Sequence, residues 1–182
     1  MSAVIALLRA VNLGGRTVKA AQLKAVAAAL GHTDLVTYAN SGNLVLVPGA
    51  GESPAQVAAG LSSALGAELG FDVPVIARSA REWDVLVGAV PFRAQAAADP
   101  AHLTLVCFDG LVQPASVQEF DASAYGNELV VWAASDAYAW YPDGIGRSRL
   151  TLDRLSRAAG RAGTARNWRT VLALAELARE RP

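Results

Sequence analysis

The chain has 182 residues, of which 53% are hydrophobic, and its 16 basic and 16 acidic side chains cancel at pH 7. This length and composition allow a sizeable buried core, in one domain or in two smaller halves. No apolar run is long enough to span a bilayer, and the N terminus enters strand-like sequence without a secretory leader. We therefore expect a folded, soluble protein of the cytoplasm with no membrane partner. The single cysteine, Cys107, excludes an internal disulfide.

Charge is distributed unevenly along the chain. Residues 1–47 carry a net charge of +3, residues 48–146 carry −9 and residues 147–182 carry +6. Basic ends around an acidic middle are compatible with an anionic partner. The alternative is a general preference for arginine, because only two of the 16 basic residues are lysines.

The first half of the chain alternates strand-like and helix-like patterns. The predicted elements are a strand at Val4–Leu8, a helix from about Val18 to Leu30, a hairpin of Leu35–Tyr38 and Leu44–Val47, a helix from Ser53 to Leu69, and a strand at Val73–Ala77. Ser53 followed by Pro54 is typical of a helix start, and Gly70 is typical of a helix end. The order βαββαβ predicts a ferredoxin-like unit, with two helices on one face of an antiparallel sheet.

The second half repeats this order in part. The first half ends with a helix opened by the capping box Ser79–Glu82, and a linker follows at 93–101. The predicted elements of the second half are a strand at His102–Phe108, a short helix at Pro114–Phe120, a hairpin of Glu128–Ala134 and Ala137–Tyr141, a helix from Leu150 to Gly160, and a last helix capped by Thr164. A helix thus stands where the final strand of the repeat would be. We predict an α+β protein of two ferredoxin-like halves, residues 1–92 and 102–182, with antiparallel sheets and helices packed on them.

Several widely spaced motifs occur in order along the chain. They are Ala6–Arg9, Asn12–Gly15, Tyr38–Asn43, Phe71–Val75, Asp143–Ser148 and Thr164–Val171. In these motifs the sequence resembles the DUF1697 family of uncharacterised bacterial proteins. The resemblance implies two ferredoxin-like α+β halves, and it implies no established activity, cofactor or catalytic residue. The chain departs from the family at Ala10-Val11, where Gly-Ile is frequent, and at Arg16, where lysine is frequent.

The turn Arg9–Arg16, which we call the opening loop, is the first candidate site. Successive glycines after a strand let backbone N–H groups turn toward an anion, and nearby cations add positive charge. The residues expected to contact an anion are Arg9, Asn12, Gly14, Gly15, Arg16 and Lys19. The loop matches neither the P-loop nor the dinucleotide fingerprint. The alternative is a plain turn that needs a glycine at positive φ.

The first hairpin carries a second polar cluster at residues 40–43, in which Ser41 and Asn43 are the candidate ligand-binding residues. The end of the first strand and the start of the third can lie on the same side of a βαββαβ sheet. We therefore predict that Arg9, Asn12 and Asn43 converge. The alternative is that these residues are ordinary turn formers.

A third candidate, Arg166-Asn167, is predicted to lie in the first turn of the last helix. An arginine there opposes the helix dipole, so a ligand gives a better reason for its position than stability does. With exposed helix N–H groups, Arg166 would hold a phosphate or carboxylate. The alternative is an ion pair with Asp143 or Asp153 that ties the halves together.

Three aromatic residues, Trp132, Tyr138 and Trp140, lie on the predicted second hairpin, where we expect Trp132 and Trp140 to face each other. Such a group is typical of a base-stacking platform, but also of an aromatic core pair, which we favour. The RNA-recognition strand motif is absent from both halves.

Catalytic chemistry has little support in the sequence. With His32 and His102 as the only histidines, a histidine triad or a zinc site is not expected, and neither is another metal or a cofactor. The leading hypothesis is a binding module for an anionic ligand, either nucleic acid phosphate or a nucleotide-like metabolite. The alternatives are an enzyme that clamps a small phosphorylated or carboxylated substrate with arginines and uses Ser41 or a water, and a plain interaction domain. The sequence leaves the oligomeric state open.

Overall fold

The computed structural model describes residues 2–11, 15–39, 42–49 and 51–181. Contacts between Cα atoms divide the chain into two compact units. The first unit contains the residues up to Gly88 together with those from Leu172 onward, and the second contains Ala89–Val171. Each unit has one four-stranded antiparallel sheet with helices, so the predicted α+β class is confirmed.

The first unit has its sheet in the order β2-β3-β1-β4. Its elements are β1 Val4–Leu8, α1 Ala20–Ala29, β2 Thr33–Tyr38, β3 Asn43–Val47, α2 Pro54–Leu69, β4 Val75–Ser79 and α3 Ala80–Gly88. β1 pairs with β3 on one side and with β4 on the other, and all five of its apolar residues are buried. The continuous apolar run at the start of the chain is therefore an inner strand, as its pattern predicts.

Local capping signals set the helix ends in this unit. The Ser53 side chain accepts a hydrogen bond from the backbone N–H of Gln56, and Gly70 ends α2 in the left-handed conformation with φ of 73°. The predicted capping box of α3 is confirmed, because the Ser79 backbone N–H donates to Glu82 Oε2 at 2.7 Å. Pro74 precedes β4, which is an edge strand, as a proline at that point predicts.

The second unit has its sheet in the order β6-β7-β5-β8. Its elements are α4 Arg93–Ala98, β5 Leu103–Phe108, α5 Pro114–Gln118, a 3₁₀ turn Ala122–Ala124, β6 Leu129–Trp132, β7 Asp136–Trp140, α6 Leu152–Ala159, β8 Gly163–Asn167 and the start of α7 Trp168–Arg179. One face of this sheet packs on a core that includes Val106, Phe108 and Leu155. The predicted second hairpin and the helix ending at Gly160 are both confirmed.

The predicted helix start at Thr164 is wrong, because residues 163–167 form β8. Thr164 pairs with Cys107 of β5, and Arg166 pairs with Leu105. The helix begins only at Trp168, where Asn167 Oδ1 accepts a hydrogen bond from the Thr170 backbone N–H at 2.9 Å. The element order of the second unit is therefore the full βαββαβ rather than βαββα.

Two further observations concern the proposed division of the chain. The predicted linker 93–101 contains the helix α4, and contacts assign residues from Leu172 onward to the first unit, whereas the predicted second half extends to residue 182. The predicted domain boundaries stay a prediction. None of the helices that the structure describes is long and apolar enough to cross a membrane.

The end of α7 and the residue that follows contact elements of the first unit. Arg179 Nη2 lies 2.6 Å from Asp84 Oδ1 on α3. Arg181 Nε donates to the backbone oxygen of Asp34 in β2 at 2.8 Å. The first unit is thus completed by the last residues of the chain.

Candidate functional site

The opening loop leaves β1 between two neighbouring segments. The backbone N–H of Leu8 donates to Gly42 O at 2.8 Å, and that of Arg9 donates to Pro74 O at 2.9 Å. The hairpin that follows β2 thus lies on one side of the loop entrance, and the start of β4 lies on the other. This arrangement follows from the central place of β1 in the sheet.

Gly42 fixes the hairpin against the opening loop. Its φ is +70°, and a Cβ at this position would lie 2.7 Å from Leu8 Cβ and 2.8 Å from Val11 Cγ2. A side chain here would be strained by the conformation and would also displace its two neighbours. The two segments predicted to meet therefore do meet, at Leu8 and Gly42. Three predicted site residues of these segments, Asn12, Gly14 and Ser41, lie outside the described residues.

Asn43 lies at the start of β3, beside the loop entrance, and is 1% exposed. Its Nδ2 donates to Tyr38 O at 2.8 Å, which links the two strands of the first hairpin. This bond gives Asn43 a structural role. The predicted contact of Asn43 with a ligand stays a prediction.

The cations of the opening loop differ in their surroundings. Arg9 is half-buried, whereas Arg16 and Lys19 are exposed. The Arg16 guanidinium lies 5.8 Å from the centre of the Phe71 ring, and Lys19 directly precedes α1. Within the described ranges, neither Arg16 nor Lys19 forms an ion pair. Both charges are therefore available to a ligand in solution.

A small cavity lies where the hairpin meets the segment around Lys19. Its volume is about 20 Å³, and its lining residues are Val18, Ala20, Leu23, Thr37, Ala39, Gly42 and Asn43. This space is close to that of one water molecule. A nucleotide or sugar phosphate cannot enter it, so any such ligand would bind on the surface above it.

Positive φ values at alanine mark both sides of this site, and sequence reasoning missed them. Ala10 has φ of 54°, and Ala39 has φ of 52°. Each left-handed alanine costs about 1 kcal/mol or more and persists only where the surroundings impose it. The one available signal was the frequent glycine of the resembled family at the position of Ala10. Gly15 has φ of 87°, as the plain-turn alternative requires.

Arg166 lies in β8 and is 7% exposed, so its predicted place in the first turn of a helix is wrong. Its Nη1 donates at 2.8 Å both to Thr164 Oγ1 and to Ala165 O. Burial lowers the pKa of the guanidinium to about 10, which leaves it charged at neutral pH. Asn167 is exposed and caps α7, as described above.

A buried polar group surrounds Arg166 on one face of the second sheet. The strand register places Cys107 between Asp136 and Thr164, and Leu105 between Tyr138 and Arg166. Desolvation, and then the charges of Asp136 and Cys107, raise the pKa of Tyr138 to about 12. Sequence reasoning missed this group, although an aspartate opening the apolar strand Asp136–Trp140 was a signal for it.

The aromatic residues of the second hairpin do not form a platform. Trp132 pairs with Ala137, and Trp140 pairs with Leu129, so the two tryptophans lie on opposite faces and do not face each other. The Trp132 ring stacks on Phe108 at 6.0 Å and meets the edge of Phe120 at 5.4 Å. The predicted aromatic pair of Trp132 and Trp140 is therefore wrong, although Trp132 packs against the core of the second unit.

Another polar cluster joins the Asp143–Ser148 motif to Glu128, which directly precedes β6. Ser148 Oγ donates to Glu128 Oε1 and accepts a hydrogen bond from the Leu150 backbone N–H at 2.9 Å. Glu128 Oε2 and the Tyr141 hydroxyl are buried without a hydrogen-bond partner in the described part of the chain. Burial, and then the charge of Glu128, raise the pKa of Tyr141.

We expect Tyr141→Phe to raise the free energy of unfolding by about 1 kcal/mol, because it removes a buried unpaired hydroxyl and conserves the ring. Tyr141→Leu should lower it, because the residue is 1% exposed and the core would lose the ring. Urea denaturation of both variants measures the two effects. A clear loss of stability in Tyr141→Phe would show that the hydroxyl has a partner.

Comparisons with known proteins agree with the resemblance in the sequence. The family model of DUF1697, described as a protein of unknown function, matches residues 1–138. The motifs at Asp143–Ser148 and Thr164–Val171 lie beyond that match. No curated protein matches the chain.

A solved structure shares the fold. The chain is similar to a conserved bacterial protein from Streptococcus pneumoniae, with a TM-score of 0.71 and 18% sequence identity over 98% of this chain and 99% of that one. At this identity the similarity speaks for the fold alone. Because the family model covers about three quarters of the sequence, the chain belongs to the DUF1697 family.

Proposed function

We propose that the protein is a binding module for an anionic ligand, a nucleic acid phosphate or a nucleotide-like metabolite. The binding surface would be formed by the opening loop and the hairpin around Gly42. The observation that carries this proposal is the fixed contact between the two segments, with Leu8 N and Gly42 O at 2.8 Å. Exposed cations next to two segments that meet in this way suit a phosphate group.

The position of the cations supports this surface. Lys19 lies between Val18 and Ala20, which line the same small cavity as Gly42 and Asn43. The backbone of Lys19 therefore lies near Gly42 and Asn43. Arg16 lies against Phe71, in the segment that leads to β4. Together the two cations would flank a phosphate placed over the loop.

The size of the cavity favours an extended ligand. A cavity of about 20 Å³ does not enclose a small molecule, whereas small-molecule sites usually measure about 300 Å³ or more. A nucleic acid strand can bind an open cationic surface through its phosphates. We therefore favour nucleic acid phosphate over a free metabolite, and a cytoplasmic location would give access to it.

Arg166 and Asn167 are poor members of this surface. The Arg166 guanidinium is buried and has two acceptors on its own strand, and Asn167 caps α7. The bonds of Arg166 lie within its own strand and support a structural role for this residue, although they are not the predicted ion pair with Asp143 or Asp153. We propose that both residues stabilise the second unit and leave ligand contact to the first.

The enzyme alternative has less support. Tyr138, with a pKa of about 12, stays protonated at neutral pH and is unsuited to act as a general base. Cys107 is 1% exposed, so a substrate would not reach its thiol. Ser41, the nucleophile considered in this alternative, lies outside the described residues.

We also propose that both units are ferredoxin-like. The strand orders β2-β3-β1-β4 and β6-β7-β5-β8 support this, because in each the first strand of the unit lies inside, between the third and the fourth. Together with the element order βαββαβ, this is the arrangement expected of the split βαβ unit.

Fluorescence anisotropy with mixed-sequence RNA and DNA oligonucleotides tests the proposed function. We expect Arg16→Gln/Lys19→Gln to weaken binding about tenfold and to reduce the slope of log affinity against log salt by about 1.5, because two phosphate contacts are lost. The matched control, Arg93→Gln/Arg147→Gln, removes two exposed charges from the second unit and should leave the slope unchanged.

A labelled nucleoside triphosphate, titrated in parallel, separates the two ligand sources. Binding of the oligonucleotide alone would identify the ligand as a nucleic acid, and binding of the triphosphate alone would identify it as a nucleotide-like metabolite. The proposal is wrong if neither binds, or if both double variants lose the same affinity.

A further inference from the structure

The two sheets have four edge strands, β2 and β4 in the first unit and β6 and β8 in the second. An edge strand presents backbone N–H and C=O groups that can pair with another strand. Proteins usually block such edges with charges, prolines or irregular pairing. How each edge is blocked therefore indicates whether it is built to stay unpaired.

Both edges of the first sheet are blocked. In β2 the register shifts between Thr33 and Val36, and the Arg181 side chain bonds to the backbone oxygen of Asp34. In β4 the Arg78 side chain donates from Nη1 to Ala77 O at 3.1 Å. On each edge an arginine side chain thus donates a hydrogen bond to a backbone carbonyl of the strand, and β4 also follows a proline.

The edge strand β8 of the second sheet is blocked in the same way, by an arginine bonded to a strand carbonyl. Arg166 Nη1 donates to Ala165 O at 2.8 Å. The Asp109 backbone N–H donates to Ala162 O, so hydrogen-bonded pairs with β5 fall at residues 162, 164 and 166. Ala165 O therefore faces away from the sheet, and the guanidinium covers the outer edge.

The edge of β6 lacks these blocking features. Leu129–Trp132 contains no charge and no proline, and its register with β7 is regular. No arginine of the described chain donates to a carbonyl of this strand. Leu129 is 47% exposed and Val131 is 40% exposed, so the strand also presents apolar side chains to solvent.

The free backbone groups of β6 belong to Val130 and Trp132. The Ala133 backbone N–H donates to Asp136 O, so residues 129 and 131 form the hydrogen-bonded pairs with β7. The N–H and C=O groups of residues 130 and 132 then face outward. Within the described residues these groups have no hydrogen-bond partner.

We propose that β6 pairs antiparallel with β6 of a second copy of the chain. Val130 of each copy lies opposite Trp132 of the other, and the two-fold axis passes at Val131. The outward groups at positions 130 and 132 then form four hydrogen bonds, and the two Val131 side chains meet across the axis. The second sheets of the two copies, with four strands each, then form one sheet of eight strands.

The strand is complementary to itself, which favours a second copy over a different partner. An uncharged segment brings no like charges together when it pairs with its own copy, and Glu128 falls opposite Ala134 of the other strand. With only four residues in the strand, the interface is of the small class, below about 1,200 Å². The dimer is therefore weak and depends on protein concentration.

Disulfide trapping tests the proposed register. Residues at position 131 form a non-hydrogen-bonded pair, with Cα atoms about 4.5 Å apart, which is within disulfide reach. Under mild oxidation, Val131→Cys should give a covalent dimer on a non-reducing gel. The control Leu111→Cys, at a residue that is 67% exposed, should stay mainly monomeric. Cys107 is 1% exposed and remains in both variants.

Sedimentation equilibrium tests the pairing without a crosslink. We expect the unmodified chain to dimerise reversibly, and Val131→Lys to weaken the dimer at least tenfold, because it places two like charges at the axis. Leu111→Lys is the matched control and should not change the association. Equal trapping of both cysteine variants, a monomer at every concentration, or a dimer indifferent to Val131→Lys would each overturn the proposal.

Discussion

Gly42→Ala is expected to lower the free energy of unfolding by about 3 kcal/mol, the largest effect among the positions of the candidate site. A φ of +70° costs an alanine about 1 kcal/mol. A Cβ only 2.7 Å from Leu8 Cβ and 2.8 Å from Val11 Cγ2 adds the cost of overpacking, about 2 kcal/mol. Urea denaturation followed by circular dichroism measures the difference.

Gly31→Ala is the matched control for this prediction. Gly31 also has a positive φ of +87°, but no atom lies within 4 Å of a Cβ built there. Its replacement should cost about 1 kcal/mol, from the conformation alone. Equal losses in the two variants would contradict the close packing of the hairpin against the opening loop. If the losses differ as expected, Gly42→Ala should also weaken ligand binding when it is assayed below its melting temperature.

Arg166→Ala is expected to lower the free energy of unfolding by about 3 kcal/mol and to leave ligand affinity unchanged. The substitution removes a buried charged group and deprives Thr164 Oγ1 and Ala165 O of a donor. It also uncovers the edge of β8, so we expect a greater tendency to aggregate. Thermal unfolding measures the first effect, and light scattering measures the second.

Two further variants interpret that result. Arg166→Lys keeps the charge, but the lysine side chain is one bond shorter than the path to Nη1, so its ammonium group should recover only part of the stability. Arg169→Ala removes an exposed arginine from the first turn of α7 and should change stability by less than about 0.5 kcal/mol. A loss of ligand binding with unchanged stability in Arg166→Ala would restore the ligand role predicted for this residue.

The elements with local signals were predictable from the sequence. Ser53, Pro54 and Gly70 mark the two ends of α2, and the capping box of Ser79 and Glu82 marks the start of α3. These signals act within a few residues of the chain, through side chains that bond to the backbone of a neighbouring turn. Their effect therefore does not depend on the rest of the fold.

The strand β8 was not predictable in this way. A threonine before apolar residues at helical spacing is typical of an N-cap, and Thr164 has this position. Pairing with β5 nevertheless holds residues 163–167 in the extended conformation. That partner lies about 60 residues earlier in the chain. The burial of Arg166 follows from the same pairing, so its predicted position in the first turn of a helix failed together with the predicted secondary structure.

The adjacency of the two segments that form the candidate site was predictable from the sequence, but their contacts were not. The order βαββαβ was sufficient to bring the end of β1 beside the first hairpin, as Leu8 and Gly42 confirm. It did not reveal that Asn43 bonds to Tyr38, or that Ala10 and Ala39 adopt positive φ. Such details depend on the packing of side chains that are distant in sequence.

The contacts of Arg179 with Asp84 and of Arg181 with Asp34 bear on how the protein is made. The residues they join are 95 and 147 positions apart in the chain. A ribosome adds about 5 to 20 residues per second, so α3 and β2 are synthesised several seconds before Arg179 and Arg181. During that interval no arginine side chain is bonded to the Asp34 backbone oxygen at the edge of β2. We therefore expect the first unit to be most exposed to misassembly during synthesis, before residues 179–181 have joined it.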